Sequence, residues 1–292
     1  MQIYETVWHR WLRRPYELNT VIDEGHGKTV VLLHGIGRNG SVWQNLATEL
    51  RGNGCHVLAY DLLGFGASPK PSWPSYTVQD HARMVKAMLP RKGKITLVGH
   101  SMGCLVAIHI ASQYPGRVAH VILYEPPVFA DIPEFASHAR RRKIYLSIYE
   151  RIADNPTAVL TYARLFGRAA ARIADIATAT EQWIPFERSM RNTIISQTAY
   201  NELHRLVVPT NIVYGRLDIM VSQTEVKRMF KDNQNIHFSI ITDTHGVSKK
   251  ASKYLAKLIL HQTVPSNKPT KIHRRIASRK PKRDNKRSEV IT

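Results

Sequence analysis

Cysteine is nearly absent from this 292-residue chain. Only Cys55 and Cys104 occur. Two thiols cannot build a disulfide framework, and both stand in apolar stretches where a thiol serves as a small core residue rather than a metal ligand. Long apolar runs are missing too, so no stretch is long enough to span a bilayer. The Met1-Gln2-Ile3-Tyr4-Glu5 start carries no basic segment followed by an apolar one. The expectation is a cytoplasmic protein without a transmembrane segment.

Acidic residues are scarce as well, 22 Asp and Glu against 42 Lys and Arg, for a net charge of +20. The excess is uneven. From Pro265 to Thr292 ten basic residues face only Asp284 and Glu289, and apolar periodicity is almost absent. Such a stretch is expected to be a disordered basic tail. Its functional reading is a weak anionic partner, RNA or lipid, held through phosphate contacts. Its plainer reading is a solubilising tail, favoured because no aromatic residue interleaves the charges for base stacking and the rest of the chain is also basic.

What is present begins with 43% hydrophobic residues, enough for a substantial core and compatible with one α/β domain carrying an insertion. The organising stretch is Lys94 to Ile108, an apolar run, then Gly99-His100-Ser101-Met102-Gly103, then a helical pattern. Glycines on either side of a serine suit a strand-to-helix turn too tight for a Cβ. Such a turn lifts the Ser101 hydroxyl clear of the sheet at a helix N-terminus, where N–H groups favour developing negative charge.

Upstream, Glu5 to Arg14 mixes Trp8, Trp11 and Leu12 with arginines, a short amphipathic segment expected to pack against the body. Tyr16 to Ile22 alternates like an edge strand, with Asp23 to Gly27 as its turn. Thr29 to Leu33 is a continuous aliphatic run, as in a strand buried on both faces. It ends in His34-Gly35-Ile36-Gly37-Arg38-Asn39-Gly40. Acyl transfer needs two backbone N–H groups aimed at an oxyanion, one after the nucleophile and one from a loop following an earlier strand. Met102 and Ile36 fit those places, while His34 reads as a structural histidine.

Cys55 to Tyr60 is the next strand and leads into Asp61-Leu62-Leu63-Gly64-Phe65-Gly66-Ala67-Ser68. Together, His34-Gly35-Ile36-Gly37, this Asp61 to Ser68 segment and the Ser101 pentapeptide resemble the α/β-hydrolase superfamily. The likeness is to its capped serine esterase and lipase-like branch, with a cap inserted after the sixth strand, and it covers roughly Tyr16 to Gln262. It implies an α/β fold with a mostly parallel, doubly wound sheet. Strands at Lys94 to Gly99, Val118 to Tyr124, Val208 to Gly215 and Ile236 to Ile241, alternating with helices such as Thr77 to Leu89, Ser222 to Phe230 and Val247 to Leu260, agree.

The expected boundaries are hydrolase core at 1–125, helical cap at 126–205, core again at 206–262 and tail at 263–292. In the cap, helical spacing over Pro133 to Ala153, Pro156 to Phe166, Ala169 to Thr178 and Ser189 to Leu206 is broken by Pro156, Gly167 and Pro185. Its aromatics, among them Phe129, Phe135, Tyr145, Tyr149, Tyr162, Phe166, Trp183 and Phe186, are expected mainly to form the cap's own core. The Arg140 to Lys143 run reads as a solvated face.

The remaining chemistry follows from chain order. Asp218 stands in a loop after one strand and His245, beside Gly246, in the loop after the last. Ser, then Asp, then His is the order this fold uses. His245 is the expected base, Asp218 its orienting acid, and Ile36 and Met102 the oxyanion donors. Glu125 is the alternative acid, and His100 is expected to point away and serve packing. A serine at position 101 argues against the epoxide hydrolases and dehalogenases of similar fold, which use Asp there. The expected activity is hydrolysis of a small carboxylic ester through an acyl-enzyme, with no metal and no cofactor. Carbon–carbon bond hydrolysis, lactone or peptide cleavage, and acyl transfer stay open on the same fold, as does a ligand receptor that keeps the triad.

Overall fold

The computed structural model describes residues 5–129, 139–155, 180–218 and 223–261. Seven strands form one sheet: β1 Thr20–Gly25, β2 Lys28–Leu33, β3 Cys55–Tyr60, β4 Ile95–His100, β5 Val118–Tyr124, β6 Thr210–Gly215 and β7 Ile236–Ile241. Their order is β1-β3-β2-β4-β5-β6-β7. β1 pairs antiparallel with β3, and every other pairing is parallel.

The inner strands are apolar runs because both of their faces are covered. Successive residues alternate between two cores. Val31, Leu33 and Leu97 join one core with α2 (Val78–Met88) and α3 (Met102–Gln113). Val30, Leu32 and Val98 join the other with α1 (Gln44–Arg51) and α8 (Lys249–His261). The sheet is therefore doubly wound, and the loops at its carboxyl edge gather from both faces.

Between β5 and β6 the described regular elements are helices: α4 Ala139–Asp154, α5 Thr180–Ser189, a π-helical turn at Met190–Ile195 and α6 Ala199–His204. After β6, α7 spans Gln223–Met229. The insertion ties itself to the loop after β3. Arg188 donates to the Ser72 and Pro74 carbonyls at 2.6 and 2.8 Å, Asn192 to Ser75 at 2.6 Å and Thr193 to Tyr76 at 2.8 Å. Of the expected cap aromatics, Tyr149 and Phe186 are buried, and Trp183 stacks on Phe186 with ring centroids 5.6 Å apart. Rather than a separate core of the insertion, Tyr149 and Phe186 belong to the same cluster as Val31, Leu33 and Leu97 of the sheet.

Four expectations need correction. The strand before the insertion is the fifth of this sheet, not the sixth. β1 starts later and runs through Gly25, where a turn was expected, because its pairing with β3 continues to Gly25 opposite His56. Pro185 does not break a helix but lies inside α5; it is buried against Gly64, and this packing outweighs the local penalty of a helical proline. The amphipathic N-terminal segment packs only at one edge. Tyr16 donates to Glu5 at 3.2 Å and stacks on His9, yet no residue of Thr6–Trp11 is buried and Trp11 is 78% exposed.

The helices expected at Pro156 to Phe166 and Ala169 to Thr178, with Phe135, Tyr162, Phe166, the side chains of Arg140 to Arg142 and Tyr145, and the tail, lie outside the described residues. Among the described residues no helix is long and apolar enough to cross a membrane.

Candidate active site

Ser101 stands between β4 and α3 with φ 50° and ψ −121°, backbone that side-chain-bearing residues rarely adopt. Neighbouring hydrogen bonds hold it there. Its N–H donates to the Tyr124 carbonyl at 3.0 Å, and its own carbonyl accepts from Cys104 N–H at 2.9 Å. The flanking glycines are steric necessities: a Cβ on Gly99 would stand 2.6 Å from the Cys104 backbone, and one on Gly103 2.7 Å from the His34 carbonyl.

Met102 is the first residue of α3, so its N–H has no carbonyl partner within the helix. The Gly-rich loop after β2 lies against the same turn, for a Cβ on Gly35 would come within 3.1 Å of Ser101 Cβ. His34 fixes that loop. Its Nε2 accepts from Leu62 N–H at 2.9 Å, so Nδ1 carries the proton and donates to the Gly35 carbonyl at 2.8 Å. It is structural, as expected, and Ile36 follows directly in this loop.

Asp218 and His245 come from the loops after β6 and β7. These loops are laced together: Arg216 N–H donates to Ile241 at 2.7 Å and Leu217 N–H to Asp243 at 2.9 Å, while within the first loop Asp218 N–H donates to Gly215 at 3.1 Å. The result brings His245 Nδ1 to 2.9 Å from Asp218 Oδ2, with the Asp218 side chain fully buried and the His245 side chain 31% exposed. Of the two candidate acids, Asp218 is the one that bonds the ring. Among the described residues the Ser101 hydroxyl makes no hydrogen bond to His245. Catalytic contacts of this kind are often loose in free enzymes and tighten around substrate.

His100 departs from its expected role. Rather than pointing away, its Nε2–H donates to the His245 carbonyl at 2.7 Å, and the two rings lie 5.2 Å apart. Burial drives its pKa down to about 3, so it acts as a neutral donor. Tyr124 supports the same loop, its hydroxyl 3.1 Å from both the Thr244 and Gly246 carbonyls. Neither role had a sequence signal, because each depends on a loop more than a hundred residues away.

Glu125 is also part of this cluster. It is fully buried, it has φ 55°, and its N–H donates to Val213 at 2.9 Å. Its Oε1 accepts from Gly215 N–H, whereas its buried Oε2 has no donor. Burial first, and the neighbouring Asp218 second, hold this carboxyl far above the usual carboxylate range.

The chain belongs to the alpha/beta hydrolase fold family, whose profile matches residues 28–246. It is similar to the probable lysophospholipase BODYGUARD 5 of Arabidopsis thaliana, 35% identical over 120 residues, 38% of this chain and 27% of that protein. The matched region thus spans only about a quarter of that relative. It is 28% identical to the AB hydrolase superfamily protein YisY of Bacillus subtilis over 82% of this chain and 92% of that one. Among solved structures, the hydrolase olei00960 of Oleispira antarctica superposes with a TM-score of 0.70 at 18% identity, covering 87% of this chain and 99% of that one. That likeness concerns the fold.

Proposed function

We propose that this protein is a serine hydrolase that cleaves a small carboxylic ester through an acyl-enzyme. The single observation carrying the proposal is the 2.9 Å bond from His245 Nδ1 to the fully buried Asp218. It lies at the same sheet edge as a strained serine at a helix N-terminus.

The roles follow from chemistry. Nδ1 bonded to a carboxylate must carry the proton, which leaves Nε2 as the basic nitrogen. Nε2 takes the Ser101 proton as Oγ attacks the ester carbonyl, and Asp218 stabilises the imidazolium that results. The tetrahedral oxyanion is met by the Met102 and Ile36 N–H groups, each contributing roughly 10²–10³ to the rate as oxyanion donors do. The imidazolium returns its proton to the departing alcohol. Water, activated by the same nitrogen, then hydrolyses the acyl-serine. The insertion between β5 and β6, whose Arg188 and Asn192 bond the loop after β3, acts as the cap that selects substrate. The lysophospholipase name of BODYGUARD 5 agrees with an ester as the substrate class.

The test is turnover of p-nitrophenyl acetate and butyrate by wild type and Ser101→Ala, with labelling by a fluorophosphonate. Loss of both in the variant is expected. Turnover unchanged in purified Ser101→Ala would sink the proposal, and labelling without turnover across a panel of esters, lactones and amides would favour a receptor.

A further inference from the structure

Two carboxyl groups meet behind the His245 ring, and only one of them bonds it. A carboxylate oxygen of Glu125, one of Asp218 and a ring nitrogen of His245 all lie within 4.8 Å of one another. Two carboxyl groups buried this close repel one another's negative charge, which favours a proton on one of them. Asp218 accepts from His245 Nδ1. Glu125 Oε1 accepts from Gly215 N–H, but its Oε2 is buried with no donor, and an ionised oxygen there would go unsatisfied. A proton on Oε2 turns that orphan acceptor into a donor, and the Asp218 carboxylate is an acceptor in the same cluster.

We propose that Glu125 is held as a neutral carboxylic acid that donates a hydrogen bond to Asp218, making it a positioning residue for the acid that orients His245. The inference deepens the hydrolase reading and rests on it for its catalytic consequence alone. The relay then runs Glu125 O–H to Asp218 to His245 Nδ1–H, with one negative charge across the three groups. The surroundings on each side support a neutral Glu125. Asp243, from the loop after β7, adds a further negative charge, and from α3 and β5 the buried Cys104 and Tyr124 have pKa values raised well above their ordinary values, chiefly by burial. His100 on β4 is neutral. No cation among the described residues bonds the Glu125 carboxyl.

The decisive variant is Glu125→Gln, which keeps an acceptor for Gly215 and a donor for Asp218. Infrared difference spectra in the Ser101→Ala background should show a protonated carboxylic C=O band that Glu125→Gln removes. This readout is independent of turnover, so it stands even if Ser101 proves not to be the nucleophile. In the active enzyme, Glu125→Gln should keep kcat within roughly threefold and leave the acidic limb of kcat/KM in place, while Glu125→Ala lowers kcat at least tenfold with KM little changed, as loss of a buried partner implies. Stability gives a third check with a fixed sign. A carboxyl protonated when folded and ionised when unfolded binds more protons in the folded state, so the folding constant falls up to tenfold per pH unit above the ordinary Glu range. Glu125→Gln should flatten that fall. The proposal is overturned if the C=O band is missing from the parent, if Glu125→Gln moves the acidic limb down by about a unit as loss of a nearby negative charge would, or if Glu125→Gln abolishes activity while Asp218→Asn spares it.

Discussion

Ser101 and Glu125 follow adjacent parallel strands, β4 and β5, and both have positive φ, 50° and 55°. Each continues its sheet by one more bond, Ser101 N–H to Tyr124 and Glu125 N–H to Val213. Their side chains meet different neighbours. After Ser101 the chain enters α3, and the hydroxyl lies beside the Gly-rich loop after β2. After Glu125 it runs into Pro126-Pro127, and the carboxyl is fully enclosed by the loops after β6 and β7. The same sign of φ thus goes with a side chain at a helix N-terminus in one place and a fully buried carboxyl in the other. Backbone strain alone does not assign a role; what packs against the strained residue does.

The largest expected effect breaks the comparison on the Ser101 side. Ser101→Ala should lower kcat by roughly 10⁴-fold or more in steady-state ester assays, and His245→Ala comparably, because members of a relay act as a unit. Next comes the acid. Asp218→Asn should cost about 10³–10⁴-fold in kcat by favouring the wrong ring tautomer, against the mild loss stated above for Glu125→Gln. Similar losses for Asp218→Asn and Glu125→Gln would erase the distinction between ionised and neutral carboxyl.

The strain itself is measurable. Ser101→Gly should be more stable than Ser101→Ala by about 1 kcal/mol in urea unfolding, since glycine adopts positive φ without a Cβ clash. Equal stabilities would mean that the turn stores no strain.

A further effect concerns acid. His100, next to Ser101, and His81 on α2 are buried and neutral, each with a pKa pushed down to about 3 by burial. Below the ordinary histidine value of about 6.5 the unfolded chain takes up protons that the folded one refuses, so stability is present at neutral pH and falls as pH drops toward the folded values. Urea titrations between pH 7 and 5 should show this fall, and His81→Asn should shallow it. Glu125 contributes the opposite slope, toward high pH, which makes the two classes of buried group separable.

The regular frame was open to reading along the chain. All seven strands were recognisable as short apolar or alternating runs, and α2 was marked by Thr77, whose hydroxyl accepts from Asp80 N–H at 3.2 Å in a capping box. Other parts were hidden. α1, over Gln44 to Arg51, carries no marked cap of its own at Trp43 and shows its purpose only when Leu46 and Leu50 meet the sheet and α8. Pro185 reads locally as a helix stop and becomes a helical residue through packing on Gly64.

The same division runs through the site. Apolar runs and alternation marked the strands, β1 with shifted bounds, and the motifs that resemble the α/β hydrolases pointed to the fold class and to Ser101, Asp218 and His245 as candidates, because such patterns are written over a few residues. Only tertiary structure could decide that Asp218 rather than Glu125 bonds the ring, that His100 and Tyr124 hold the His245 loop, and that Glu125 is buried without a donor for Oε2. Those outcomes depend on the register of β5, β6 and β7, which sets the distances between loops tens of residues apart. No local pattern records such distances, because they arise only when the strands pair.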